Sequence, residues 1–174
     1  MPAAQAAYAA HEQGKFWEMH DKLFADQKAL SPAAYEKYAQ ELGLDMNKFK
    51  SAMESGKFDG QIKKEQALVT SRGARGTPAF FINGRFFSGA QPFEKFKDVI
   101  DEEMKRADAE LGKGTASSAL YAKLIEKGLT AAAAPPQQRP QAPVGPVYVD
   151  VPSDIPFKGP KHAKVTIVEF TDYQ

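Results

Sequence analysis

The stretch Gly76-Thr77-Pro78-Ala79-Phe80-Phe81-Ile82-Asn83-Gly84-Arg85 constrains this chain more than any other. A Gly-Thr-Pro turn leads straight into a short apolar run, and Asn83-Gly84 folds that run back on itself. Asn-Gly between two apolar runs is a strong hairpin signal, because both turn positions need φ > 0. The spacing predicts strands at 79–82 and 85–88. Thr77 precedes a proline, so it is biased to extended geometry, and its peptide bond is of the kind that can be cis. A proline at the mouth of a strand leaves main-chain groups unpaired and able to meet a ligand. A two-stranded hairpin is marginal alone, so this one needs a third strand or covering helices.

The residues before the hairpin read as helices. Ala3–Ala10 is alanine-rich, and Gly14 separates it from Phe16-Trp17-Glu-Met-His20-Asp-Lys-Leu23-Phe24, where Phe16, His20, Leu23 and Gln27 share one helical face. Ser31-Pro32 is an N-cap with proline at the first helical position, and Gly43 closes the helix it opens. Asp45 caps a helix carrying Met46, Phe49 and Met53. A further helix spans about 59–72, with Ile62, Gln66 and Val69 or their neighbours inward. After the hairpin, Pro92 starts an amphipathic helix with Phe93, Phe96, Ile100, Met104 and Ala107 on one stripe, ended by Gly112-Lys-Gly114. On this reading Glu102-Glu103 and Asp98-Asp101 face solvent.

Beyond Gly114 the composition shifts. A short helix is expected within 119–128, followed by the proline-rich run Ala131–Pro143, which reads as an extended linker. Val147–Val151 is a candidate short strand, and Lys164-Val-Thr-Ile-Val-Glu-Phe-Thr-Asp-Tyr-Gln174 opens on a β-branched strand.

Several chemistries are excluded by residue type. The chain of 174 residues has no cysteine, and thiol-disulfide exchange requires an attacking thiolate. The net charge is +1 with acids and bases interspersed, which gives no footprint for nucleic acid or a membrane surface. No apolar run approaches the ~18 residues of a membrane-spanning helix, and Met1-Pro-Ala-Ala-Gln lacks the regions of a signal peptide. His11 and His20 are nine residues apart, so they do not form a helical metal pair, and no cofactor motif is present. Arg72-Gly73-Ala74-Arg75-Gly76 lacks the Lys-Ser/Thr of a phosphate loop and reads as a helix stop.

The Gly-Thr-Pro-Ala-Phe-Phe-Ile-Asn-Gly string, Phe16-Trp17-Glu18-Met19-His20 and the terminal Val-Glu-Phe-Thr-Asp-Tyr-Gln together resemble the DsbA-like thiol-disulfide oxidoreductases. The resemblance covers about residues 1–111 and again about 159–174. It implies an α/β, thioredoxin-like fold with a helical insertion and an incomplete sheet. Residues 1–112 would be the C-terminal part of such a domain: the insertion over 1–73, the hairpin over 77–89 and the helix over 92–111. Residues 113–158 would be a linker with a short helix, and 159–174 the first strand of a following domain. The chain would then be a piece of a longer, tandem-domain protein, with the Cys-X-X-Cys beginning directly after Gln174 and no catalytic residue inside the chain.

The resemblance also assigns roles. Thr77 and Pro78 match the cis-proline loop that pairs with extended peptide or protein substrates, and Thr77 shapes the surroundings of the thiolate. Glu169 matches a buried acid that helps to move protons, and its alternative is an edge-strand charge facing water. Location would be periplasmic or otherwise extracytoplasmic. No cofactor, nucleic acid or membrane span is implied.

Two further readings stay open: a redox-inactive thioredoxin-like module that holds peptide with the same loop, and a helical interaction domain with an incidental hairpin. The final strand has its own expectation. Val165–Phe170 should fold back and pair antiparallel with Ala79–Ile82, either in its own chain or in a strand-swapped dimer. Val165, Ile167 and Glu169 would then share one face and Thr166, Val168 and Phe170 the other, each covered by helices.

Overall fold

The computed structural model describes residues 2–128, 146–152 and 155–171. They form two compact units, which divide near residue 67. Taken together the described residues are α/β, with one small antiparallel sheet that lies in the second unit.

The first unit is helical: α1 (Pro2–His11), α2 (Phe16–Ala25), a 3-10 turn at Gln27–Ala29, α3 (Pro32–Glu41), α4 (Met46–Glu54) and the first turns of α5 (Asp59–Ser71). Alanines explain why α1 sits at the centre. Ala3, Ala6, Ala7, Ala9 and Ala10 are all buried, and their small side chains let α2, α3 and α4 approach α1. Met19, Leu23, Tyr35, Tyr38, Phe49 and Phe58 fill the space around it. The caps are those expected. Ser31 Oγ accepts from the Ala34 N–H at 3.2 Å, and Asp45 Oδ1 accepts from the Asn47 and Lys48 N–H groups at 3.0 and 3.1 Å. Two side chains differ from expectation. Gln27 is exposed because α2 ends at Ala25, and Gln66 is exposed while Ile62 is buried.

The second unit holds the end of α5, then β1 (Ala79–Ile82), β2 (Arg85–Ser88), α6 (Phe93–Gly112), a 3-10 turn at Ser117–Ala119, α7 (Leu120–Ile125) and β3 (Ile167–Phe170). The sheet order is β2-β1-β3, antiparallel throughout. The final strand therefore supplies, from the same chain, the third strand that the hairpin needs. Ala79 pairs with Ser88 and Phe170, Phe80 with Phe87 and Glu169, Phe81 with Phe86 and Val168, and Ile82 with Arg85 and Ile167.

Pairing of this kind sorts the side chains by face. Phe81, Phe86, Val168 and Phe170 lie together with Val147 and Val149. On the opposite face Phe96 of α6 packs edge-on against Phe80 and Phe87, with centroids 5.0 and 4.5 Å apart. The expectation of helices on both faces is corrected here. One face is covered by α6, the other by an extended strap, residues 146–152.

That strap replaces the strand expected at Val147–Val151. It makes one bridge, Arg85 to Pro146, and the Val147 N–H donates to the Gly84 carbonyl at 2.6 Å. Pro146 has no N–H to extend a ladder, so the strap crosses the end of the hairpin without running along it. Val147 and Val149 are nonetheless fully buried. Tyr121 fixes the strap by donating its hydroxyl to the Val149 carbonyl at 2.9 Å.

The stripe on α6 is also corrected. Its buried positions are Val99, Glu103 and Ala107, and Phe93 is 75% exposed. The helix presents the line Phe96, Val99, Glu103, Ala107 to its neighbours, rotated from the line drawn through the largest apolar residues. Glu103, expected in solvent, is 1% exposed. It accepts two hydrogen bonds from Arg106 Nη1, at 2.8 and 2.6 Å, and Arg106 Nη2 donates to the Leu124 carbonyl at 3.3 Å. This relay ties α6 to α7 beside the apolar contact of Ala107 with Leu120 and Leu124.

Candidate functional site

The Thr77–Pro78 loop stands at the open end of the sheet. Arg75, Gly76 and Thr77 are exposed, Pro78 is half-buried, and Ala79 is fully buried as the chain enters β1. The Thr77–Pro78 peptide bond is cis. The Pro78 carbonyl accepts from the Gly89 N–H at 2.9 Å, which closes the hairpin mouth and fixes where the loop begins.

The register of β3 determines what reaches this loop. Phe170 pairs with Ala79, the residue directly after Pro78. The chain leaving β3 at Thr171 therefore emerges beside Thr77 and Pro78. The geometry thus brings together the loop and the end of the final strand.

Glu169 is placed opposite Phe80, on the face that α6 covers. Its side chain is nevertheless exposed, and so is that of Ile167 at 45%. The burial expected of Glu169 does not hold in this chain. The reason is position: β3 is an edge strand, and the packing of Phe96 is on Phe80 and Phe87, away from that rim. Among the described residues, no group of three His, Cys, Asp or Glu side chains could hold a metal ion. No helix among them is long and apolar enough to cross a membrane.

At the other end of the sheet lies a residue whose role sequence reasoning missed. Asn83 has φ +47°, as its turn requires, and it is 1% exposed. Its N–H donates to the Thr166 carbonyl at 2.8 Å, its Oδ1 accepts from the Thr166 N–H at 2.9 Å, and its Nδ2 donates to the Lys164 carbonyl at 3.1 Å. The left-handed backbone turns the Asn83 main chain into the hairpin, and the carboxamide, which is a peptide group in miniature, continues the ladder in its place. Beside it Lys164 Nζ meets Asp108 Oδ1 of α6 at 2.5 Å. Nearby, Arg85 pairs with Glu102, and that hydrogen bond holds the Glu102 carboxyl below the usual carboxylate range. Asparagine is expected at such a turn for its φ alone, so nothing in the sequence separates the two roles.

Comparison with known proteins agrees with the geometry. The model of the DSBA-like thioredoxin domain matches residues 2–101. Among curated proteins, the Na(+)/H(+) antiporter NhaA 3 of Salinispora tropica is 42% identical over 98 residues, covering 56% of this chain and 15% of that protein. The Na(+)/H(+) antiporter NhaA of Herminiimonas arsenicoxydans is 38% identical over 99 residues, covering 57% and 16%. This chain thus spans about one sixth of the length of these relatives. No solved structure matches it. With the family model covering more than half of its residues, the chain belongs to the DSBA-like thioredoxin domain family.

Proposed function

We propose that this chain provides the substrate-facing part of a protein thiol-disulfide oxidoreductase. The observation that carries this reading is the register of β3, which sets Phe170 opposite Ala79, the residue directly after Pro78. In the intact parent, a thiolate following Gln174 would attack a substrate disulfide sulfur. A mixed disulfide forms and the substrate's other sulfur leaves as a thiolate; a second cysteine thiolate then attacks the sulfur of the first, forming the Cys–Cys disulfide and releasing the substrate's remaining sulfur as a thiolate. Thr77 and Pro78 would hold the extended substrate by its main chain during both steps. Glu169 would act as the nearby acid once further chain covers its face. Residues 1–112 would complete one such domain and 159–174 begin the next, in an extracytoplasmic setting. Cation antiport is not carried over from the relatives, because the shared segment is a small part of them.

A second reading is favoured by the absence of cysteine: a redox-inactive module that uses the same loop to bind extended peptide. One experiment separates the two. The pure 174-residue chain should not reduce insulin above background. The parent, extended past Gln174, should reduce it if two cysteines follow at the first and fourth positions. An extended parent lacking both cysteines, with an unfolded peptide shifting the NMR signals of residues 75–79, would favour the binding module. Insulin reduction by the 174-residue chain itself would overturn the assignment of the thiols.

A further inference from the structure

We propose that Arg72 and Arg75 form a carboxylate-reading edge to the Thr77–Pro78 loop, selecting extended peptides that carry an Asp or Glu a few residues from the position the loop holds. This rests on the reading of that loop as a peptide site. The arginines of the described residues divide into two kinds. Arg85 and Arg106 pair with Glu102 and Glu103, whereas Arg72 and Arg75 make no ion pair among the described residues. Arg72 Nε is moreover buried with no hydrogen-bond partner. A buried donor left unsatisfied on a charged group is costly to the fold, so it points to an acceptor that arrives from outside. The local chain supplies none: no Asp or Glu occurs between Gln66 and Phe93.

The backbone fixes where both side chains start. α5 ends in a Schellman closure, in which the Gly73 N–H donates to the Thr70 carbonyl at 3.0 Å and the Ala74 N–H to the Val69 carbonyl at 3.2 Å, with Gly73 at φ +88°. Ala74 is buried and anchors the chain between the two arginines. From there Arg75, Gly76 and Thr77 run exposed to Pro78. Arg75 therefore shares one short exposed run with Thr77, and Arg72 lies no more than ~18 Å of chain from it. An extended peptide advances about 3.3 Å per residue, so a carboxylate within about five residues of the one on the loop comes into range. A guanidinium takes a carboxylate through two parallel N–H···O bonds, a geometry that neither a neutral amide nor an ammonium reproduces. Arg72, half-buried, is the less screened of the two, and the exposed Arg75 adds attraction at longer range.

The test titrates the full ¹⁵N-labelled chain with short unstructured peptides of one neutral sequence, in which a single Glu is moved along the peptide, together with the matching Gln and Lys peptides. All should shift the Thr77 and Ala79 amides, because the loop takes main chain. With Glu at its best position the peptide should bind about tenfold tighter than its Gln counterpart, shift the Arg72 Nε–H signal, and lose that advantage at high salt. The Lys peptide should bind more weakly than the Gln peptide. Arg72→Gln combined with Arg75→Gln should abolish the preference and keep the loop shifts, and Arg72→Lys should retain only part of it. Equal affinity for the Glu, Gln and Lys peptides, with the loop shifts present, would refute the acid preference and leave the peptide reading of the loop standing. A Glu preference with no shift at residues 77–79, or no binding of any peptide, would sink the loop reading and this proposal with it. Arg72→Met gives a readout independent of peptide. It should leave the melting temperature unchanged or raised, because the lost Nε–H had no partner. A drop of several degrees would assign Arg72 to the fold and overturn its role as a ligand group.

Discussion

Replacing Arg106 with methionine should expose how the second unit is held together. Arg106 is the partner of Glu103, which is 1% exposed, and it reaches on to the Leu124 carbonyl. Methionine keeps the aliphatic stem and removes the guanidinium, so the carboxylate stays buried without a counter-charge. Removing one partner from a fully buried pair costs about 3–5 kcal/mol. Arg106 is itself 41% exposed, so water reaches one side of the pair and the expected cost falls to about 2 kcal/mol. For a unit of this size that lowers its melting temperature by roughly 10 °C. The companion variant, Glu103→Leu with Arg106→Met, removes both charges and should lie within about 1 kcal/mol of the parent. The assay is urea unfolding followed by circular dichroism, with hydrogen exchange over residues 120–125 reporting on the helix that Arg106 tethers. The decisive feature is the order: the double variant more stable than the single one. If Arg106→Met alone stays within about 0.5 kcal/mol of the parent, the carboxylate is hydrated and the reasoning fails.

Two further changes probe the strap over the sheet. Gly84 has φ +79°, and a Cβ there would lie 2.5 Å from the Val147 carbonyl oxygen and 2.9 Å from Ile125 Cγ2. Gly84→Ala should therefore cost at least about 2 kcal/mol, combining left-handed strain with displacement of the strap, and urea titration showing no loss would contradict the close approach. Burial raises the Tyr121 hydroxyl above its ordinary pKa of 10.0. A raised folded-state value means that this contribution is fully present below about pH 10 and is lost as pH rises toward the folded pKa. Tyr121→Phe should cost about 1 kcal/mol at neutral pH and flatten the alkaline decline in stability; an unaltered alkaline profile would place the titration elsewhere.

Much of the fold could be read from local chemistry. The hairpin boundaries follow from Asn83-Gly84, and the helix starts at Pro32 and Met46 follow from Ser31 and Asp45. Even the pairing of β3 with β1 could be anticipated, because the hairpin was short of a strand and the terminal segment was short of a partner. The errors arose where tertiary contact overrode local character. On α6, the largest apolar residues drew the stripe through Phe93, but it is Phe96 that packs on the sheet while Phe93 stays exposed, and Glu103 takes an inward place because Arg106 lies one turn away to neutralise it. The spacing Phe96, Val99, Glu103, Ala107, with an arginine at i+3 from the acid, was the available clue. Val147 and Val149 were correctly apolar, but burial across a hairpin end and burial along a strand look alike in a pattern of alternate valines. Glu169 could not be settled from the sequence, since its exposure depends on what covers the rim of an edge strand.

The place of β1 in the sheet has a consequence in time. Its partner β2 follows within a few residues, but the partner on its other side lies about ninety residues further along the chain. At roughly 5–20 residues per second, a ribosome takes about 5–20 s to make that intervening length. The helices around α1 draw their contacts from near neighbours in sequence and can assemble during this interval, as low contact order permits. The hairpin cannot be completed so early. Until the third strand is synthesised, β1 presents an open edge with the donor and acceptor of Asn83 at its end, the kind of surface that invites a passing strand. The second unit therefore closes last, once residues 167–170 have been made, whereas the first needs no residue so late in the chain.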